Sequence, residues 1–207
     1  MMNSIKSFFP RILALACLLF LGLGQFVLPV ESHSLRKKDS WMINLEAVNL
    51  LHAIQIVEWK PKNFPTQIEC VKCIIVGEDV HNFNHRLSYL IEQSGTMVAG
   101  KQVKVESVQK LDDALNRANE DPSVLVVFAL DSVADQWKSE DYPKRPGLLI
   151  VGQSEKFRHR GLPMTLMREG NRLRIMMNLK KMQSLELEVS KESLLYKKFC
   201  SNETEHR

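Results

Sequence analysis

The sequence predicts an α/β fold: a single domain with a mostly parallel sheet, helices on both faces, and an antiparallel edge hairpin. Three observations predict it. The apolar runs "CIIV" (Cys73–Val76), "VLVVFAL" (Val124–Leu130) and "GLLIV" (Gly147–Val151) are continuous, not alternating. That is how parallel strands read when both faces are covered. Helical patterns separate these runs, which is the order of βαβ units. One hairpin signal, "EGN" at Glu169–Asn171, joins two apolar segments late in the chain.

Residues 42–59, "MINLEAVNLLHAIQIVEW", predict a helix with Ser40 as its N-cap. Its polar residues Asn49, His52, Gln55 and Glu58 recur every third position and spiral around it, so the helix is covered over much of its circumference. Pro61 pushes Lys60 out of helical geometry and ends it. Cys70–Val76 reads as a strand, Gly77–Asp79 as a loop and Arg86–Gln93 as a short helix ending near Gly95. Gln102–Val108, "QVKVESV", alternates strictly and predicts a half-buried strand with its even-numbered residues exposed. A helix over Leu111–Ala118, the strand Val124–Leu130, a short helix at Val133–Lys138 and the strand Gly147–Val151 follow. Pro163–Arg168 and Arg172–Leu179 form the hairpin, and a helix over Lys181–Leu195 closes a domain spanning residues 41–200. Residues 201–207 read as a disordered tail.

Lys6 and Arg11 precede the apolar run "ILALACLLFLGLGQFVLPV", which ends in Pro29 with small residues at Ser32 and Ser34. This is the layout of a secretory signal peptide over residues 1–34. Export places Cys70, Cys73 and Cys200 in an oxidising compartment as disulfide candidates, and their odd number leaves one free or paired with another chain. The net charge of +4 is scattered, with no basic run longer than Arg36–Lys38, which argues against a nucleic-acid partner.

The chemical motifs weigh lightly. Cys70 and Cys73, three apart in a strand, point to opposite faces and lack the helix N-terminus that activates redox Cys-x-x-Cys thiols. Adding His81 and His85 makes a superficial zinc order, but the spacer "IIVGEDV" reads as a core strand instead of a metal turn. Ser154 follows a strand without a nucleophile-elbow context. Glu78, Asp79, Asp112 and Asp113 sit at strand and helix ends, where acids are solvated or cap helices. No catalytic, cofactor-binding or metal residue is nominated. A ligand pocket, if the domain holds one, belongs outside the carboxyl ends of the strands, near Gly77, Leu130 and Gly152.

Taken in order, several segments resemble the YfiR family of small exported bacterial proteins. They are "VEWKP" (Val57–Pro61), "IIVGED" (Ile74–Asp79), "AGKQVKV" (Ala99–Val105), "VLVVF", "LLIVG", "FRHRGLPMTLMREGNRLRIMMNL" (Phe157–Leu179) and "SKESLL" (Ser190–Leu195). The resemblance covers about residues 45–196. It implies a periplasmic α/β domain without catalytic activity or cofactor that represses an inner-membrane signalling protein, best exemplified by a diguanylate cyclase. A homodimer is a further expected assembly, and an exported small-ligand sensor or accessory factor for an outer-membrane transporter or histidine kinase is the alternative. The family-signature residues are Glu58, Trp59, Gly77, Gly161 and Asn178. Trp59 reads as a core plug at the helix end, Asn178 as a polar group satisfying backbone at a strand end, and Gly77 as the enabler of a tight turn. The chain departs from the pattern at Ile74 and Ser123, where family members carry a cysteine pair, so that disulfide does not carry over. Ile175 replaces a Phe, and a double Gly is reduced to Gly161. Cys70 and Cys200 remain as candidate disulfide partners.

Overall fold

The structure is a computed structural model that describes residues 31–60, 67–138, 142–143, 145–190 and 200–202. The chain divides into two compact units, Met1–Asp39 and Ser40–Arg207, and every strand among the described residues belongs to the second. The expected signal peptide and residues 203–207 of the expected tail lie outside the described residues.

Helix α1 (Glu31–Ile56) starts earlier than the sequence suggests, so Ser40 lies inside it and not at its N-cap. Ile43, Ala47, Leu50, Leu51, Ala53, Ile54 and Ile56 are buried, and the helix is covered on most sides. It ends at Ile56, before the proline, because Val57–Glu58 (β1) peel off to pair antiparallel with Glu188–Val189 (β9). Trp59 Nε1 donates to the Ile54 carbonyl at 3.2 Å, satisfying one of the acceptors a helix end leaves open.

Among the described residues, eight strands form the main sheet: β2 (Cys70–Val76), β3 (Met97–Val98), β4 (Lys101–Val108), β5 (Val124–Ala129), β6 (Leu149–Gly152), β7 (Met164–Glu169), β8 (Arg172–Met177) and β10 (Cys200–Asn202). Their spatial order is β10-β8-β7-β6-β5-β2-β4-β3. Only the β3–β4 and β7–β8 pairs are antiparallel. The sheet is therefore mostly parallel, as its apolar runs predict. β5 and β6 are buried at every position, so both faces are covered there. Helix α2 (Phe83–Ser94) carries the chain from β2 to β4, and α3 (Leu111–Glu120) carries it back across β2 to β5. Right-handed crossovers in opposite directions place the two helices on opposite faces. Their contacts agree: Phe83 stacks on Phe128 at 4.8 Å, while Arg117 lies 3.6 Å from Glu106, whose side chain is on the other face.

Several expected elements are corrected. The closing helix over Lys181–Leu195 is a six-residue helix, α4 (Leu179–Ser184), followed by β9; residues 191–199 are outside the described set. A turn of 3₁₀ helix at Asp131–Val133 replaces the helix expected at Val133–Lys138, and another spans Glu155–Arg160. The two-residue strand β3 was not expected. Ser201 and Asn202, at the head of the expected tail, pair in β10 outside the hairpin. Against the predicted exposure of even-numbered residues, Val108 is buried and Glu106 half-buried, with Arg117 reaching over Glu106.

Candidate functional site

The strand order reverses direction between β2 and β5: the connection after β2 goes one way and that after β5 the other. In open α/β sheets this is where a crevice forms outside the carboxyl ends of the strands. A cavity of about 290 Å³ lies there, between the loop after β2, the turn after β5, the start of the segment after β6 and one turn of α1. Ile43, Phe83 and Leu130 supply its apolar wall, and Glu46, Asp131, Ser132, Gln153 and His81 its polar one.

Each polar group is held by a defined partner. The Gln153 backbone N–H donates to Ala129 O at 2.9 Å, extending the ladder one residue past β6. Its side-chain oxygen accepts the Asp131 N–H at 2.8 Å, which leaves its NH₂ to donate to Glu46 at 2.8 Å. One amide thus ties α1 to the ends of β5 and β6. Burial pushes the Glu46 carboxyl above its ordinary range; nearby Asp131 adds to this, and the Gln153 hydrogen bond, His81 and Arg168 oppose it. Ser154 Oγ donates to Asp131 at 2.6 Å and accepts the Lys156 N–H, so the one serine weighed as a nucleophile caps the 3₁₀ turn. Asp79 accepts the N–H groups of Phe83 and Asn84 at 2.6 and 2.9 Å, opening α2. Its role is the capping one.

Two glycines give the crevice its shape. Gly77 has φ +120, which side-chain-bearing residues avoid, and a Cβ there would fall 2.5 Å from Ser132 Oγ. That hydroxyl is the acceptor for the Glu78 N–H at 2.8 Å. Gly152 meets Phe157 so closely that a Cβ would stand 2.4 Å from the phenylalanine's own.

The other signature residues lie apart from the crevice. Glu58 is exposed in β1, opposite Glu188. Trp59 packs against the core as the plug expected. Asn178 caps α4 by accepting the Lys181 N–H at 2.9 Å and donates its backbone N–H to Pro163 O. Gly161 follows the second 3₁₀ turn. Cys73 is fully buried, and burial pushes its thiol up to about 12. Cys70 is a free thiol. Cys70 lies on β2 and Cys200 on β10, five strands apart in the order of the sheet. His81 and His85 flank the carboxyl end of β2, a strand's length (about 20 Å) from Cys70. They line a groove between α1 and α2 where Arg86 donates to Asn44 at 2.5 Å. Among the described residues no three His, Cys, Asp or Glu side chains converge to hold a metal ion.

Glu46, Asp131 and Gln153 went unnominated. Glu46 looks like any surface helix former, and only the docking of α1 over β6 turns it inward. The signal that did exist was positional, since Asp131 and Gln153 stand one or two residues beyond buried strands.

Fold and crevice define an α/β domain whose opening faces the strand ends at a switch point. Residues 43–195 match the family model described as YfiR/HmsC-like, and the chain belongs to that family. The family is in general regulatory, periplasmic and associated with a membrane signalling partner. No curated protein matches the chain. No helix among the described residues is long and apolar enough to cross a membrane.

Proposed function

We propose that residues 1–34 export this protein to the periplasm, where it acts without catalysis by binding and repressing an inner-membrane signalling protein, a diguanylate cyclase. The observation that carries the reading is the family match over residues 43–195. The chemistry of the crevice agrees with it: the serine, aspartates and glutamine there are committed to capping and bracing the fold. Repression by a soluble protein requires that it bind the partner's inactive state more tightly than the active one, since equal affinity shifts nothing. Release then raises cyclic di-GMP on the cytoplasmic side.

The test is capture of the tagged protein's partners from detergent-solubilised membranes of its own organism. A transmembrane cyclase with a periplasmic domain is the expected partner. Recovery of an outer-membrane receptor alone would overturn the cyclase reading.

A second reading is favoured by one observation, the cavity at the switch point with its inward-facing Glu46. It makes the domain a sensor for a small donor-bearing ligand, serving an outer-membrane transporter or a histidine kinase. A ligand-induced rise in melting temperature that is lost in Glu46→Gln would support it; a melting temperature unmoved by amines and amino acids would count against it.

A further inference from the structure

Outside the crevice, the groove between α2 and the free edge of β4 is a second place built to receive something. β4 pairs with β2 without a break from Gln102 to Val108, but its other side meets β3 only at Lys101 and Gln102. In a strand, alternate residues turn both backbone groups to the same side. The Val108 carbonyl accepts from the Gly77 N–H at 2.9 Å and so faces β2. Val103, Val105 and Ser107 therefore turn their backbone groups away from it. Among the described residues no strand pairs with these three. The stretch they belong to, "VKVES", has neither the proline nor the bulge that guards many free edges.

The two faces of this edge differ in chemistry. Ser107 Oγ accepts from the Asn84 side chain of α2 at 2.6 Å, so the odd-numbered side chains lie on the α2 face. There a cavity of about 580 Å³ opens between helix and strand, with Ile91, Thr96, Met97, Val103 and Val105 in its lining. Met97 is exposed to solvent although large and apolar. On the α3 face, Glu106 lies 3.7 Å from Lys104 and 3.6 Å from Arg117. One carboxylate thus serves two cations, and that face is left positive.

We propose that this edge receives an extended segment of a partner protein, which adds a strand beside β4. Its alternate apolar side chains enter the cavity against α2, and an acidic side chain between them meets Lys104. The occupant follows from the edge itself. Backbone donors and acceptors repeated along a strand match another extended backbone, and in this mode main-chain bonds supply affinity while pockets for alternate side chains supply specificity. Residues level with Val103 and Val105 share the cavity's face, which selects apolar groups. The residue level with Lys104 shares the positive face, which selects a carboxylate and repels a lysine. The segment runs antiparallel, as β3 does and as the more stable pairing prefers. β3 stops it at one end, leaving room for five residues, about 17 Å of strand. The inference stands on the edge alone, whether or not the partner is a cyclase.

The test is an NMR titration of the isotope-labelled protein with the capped pentapeptide valine-threonine-valine-glutamate-valine. Antiparallel to β4, it sets valines opposite Val103, Val105 and Ser107 and its glutamate opposite Lys104. Saturable shifts at the amides of those three valine-facing residues are expected. Methylating the nitrogen of the peptide's central valine removes a donor aimed at Val105 and is expected to abolish them. Lysine in place of the glutamate is expected to weaken binding about tenfold. Lys104→Glu, a change at an exposed position that leaves the fold intact, is expected to reverse that preference. No shift at these amides with millimolar peptide overturns the proposal, as does equal affinity for the glutamate and lysine peptides. So does strong hydrogen-exchange protection of Val103, Val105 and Ser107 in the free protein, which means that this chain or a second copy already covers the edge.

Discussion

The two ends of the parallel sheet treat charge in opposite ways. At the amino end, between β2 and β5, opposite charges meet directly. Lys72 Nζ lies 2.8 Å from Asp121, Ser123 donates both its N–H and its hydroxyl to the same carboxylate, and Arg145 donates to the carbonyls of Asp121 and Val124. Burial pushes Asp121 up, yet Lys72 and Ser123 outweigh it and hold the carboxyl at about 2. At the carboxyl end Glu46 faces a cavity with an amide for its partner, and burial pushes its carboxyl up. One end is a brace built from charge. The other keeps a carboxylate against its solvation preference beside an open space, and that is the end where α/β domains bind things.

The comparison breaks most sharply at the glycines. Gly77→Ala and Gly152→Ala are each expected to cost about 3 kcal/mol, from positive-φ strain plus overpacking at the first and overpacking at the second. The same change at Gly100, where a Cβ meets nothing within 4 Å, carries only the strain of its φ of +75 and costs about 1 kcal/mol. Urea midpoints for the three variants check this; equal losses would mean that the crevice is not closely packed.

Next in size is the brace. Asp121→Ala is expected to destabilise by about 1–2 kcal/mol, since it strands the Ser123 and Lys72 donors. The wild type's acid response carries the same sign. The folded carboxyl titrates below the unfolded one, so its contribution is present above about pH 4 and is lost as pH falls toward about 2. Solvent screening of this partly exposed pair keeps the contribution near ~1 kcal/mol. Stability measured against pH in the wild type and in Asp121→Asn separates the two, and an unchanged acid limb in the variant would remove Asp121 from the account.

The smallest effect has the opposite sign. The Glu46 carboxyl is raised in the folded state, so its favourable contribution is full below the unfolded value of 4.5 and is lost as pH rises through the folded one. Glu46→Gln is expected to match the wild type in acid and to exceed its stability at neutral pH, as read from urea midpoints at both pH values. A variant less stable at pH 7 would mean that the charged form is the one the fold prefers.

The sheet itself was legible in the sequence for a simple reason. Fully buried parallel strands such as Val124–Ala129 admit only apolar residues, and their connections read as helices. Legibility failed where long-range pairing decided the outcome. Val57–Glu58 and Glu188–Val189 carry helix-forming neighbours, and each becomes a strand only because the other lies beside it. The crevice was half legible: Gly77, Leu130 and Gly152 locate it from the switch-point rule, whereas Glu46 enters only through the docking of a helix far away in sequence.

Membership of the YfiR/HmsC-like family makes regulation across a membrane the central claim. The measurement that tests it most directly is intracellular cyclic di-GMP in the native organism, with the gene deleted and then restored. The account predicts a several-fold rise on deletion that returns to baseline when the wild-type chain is supplied. A level that does not move on deletion would contradict it.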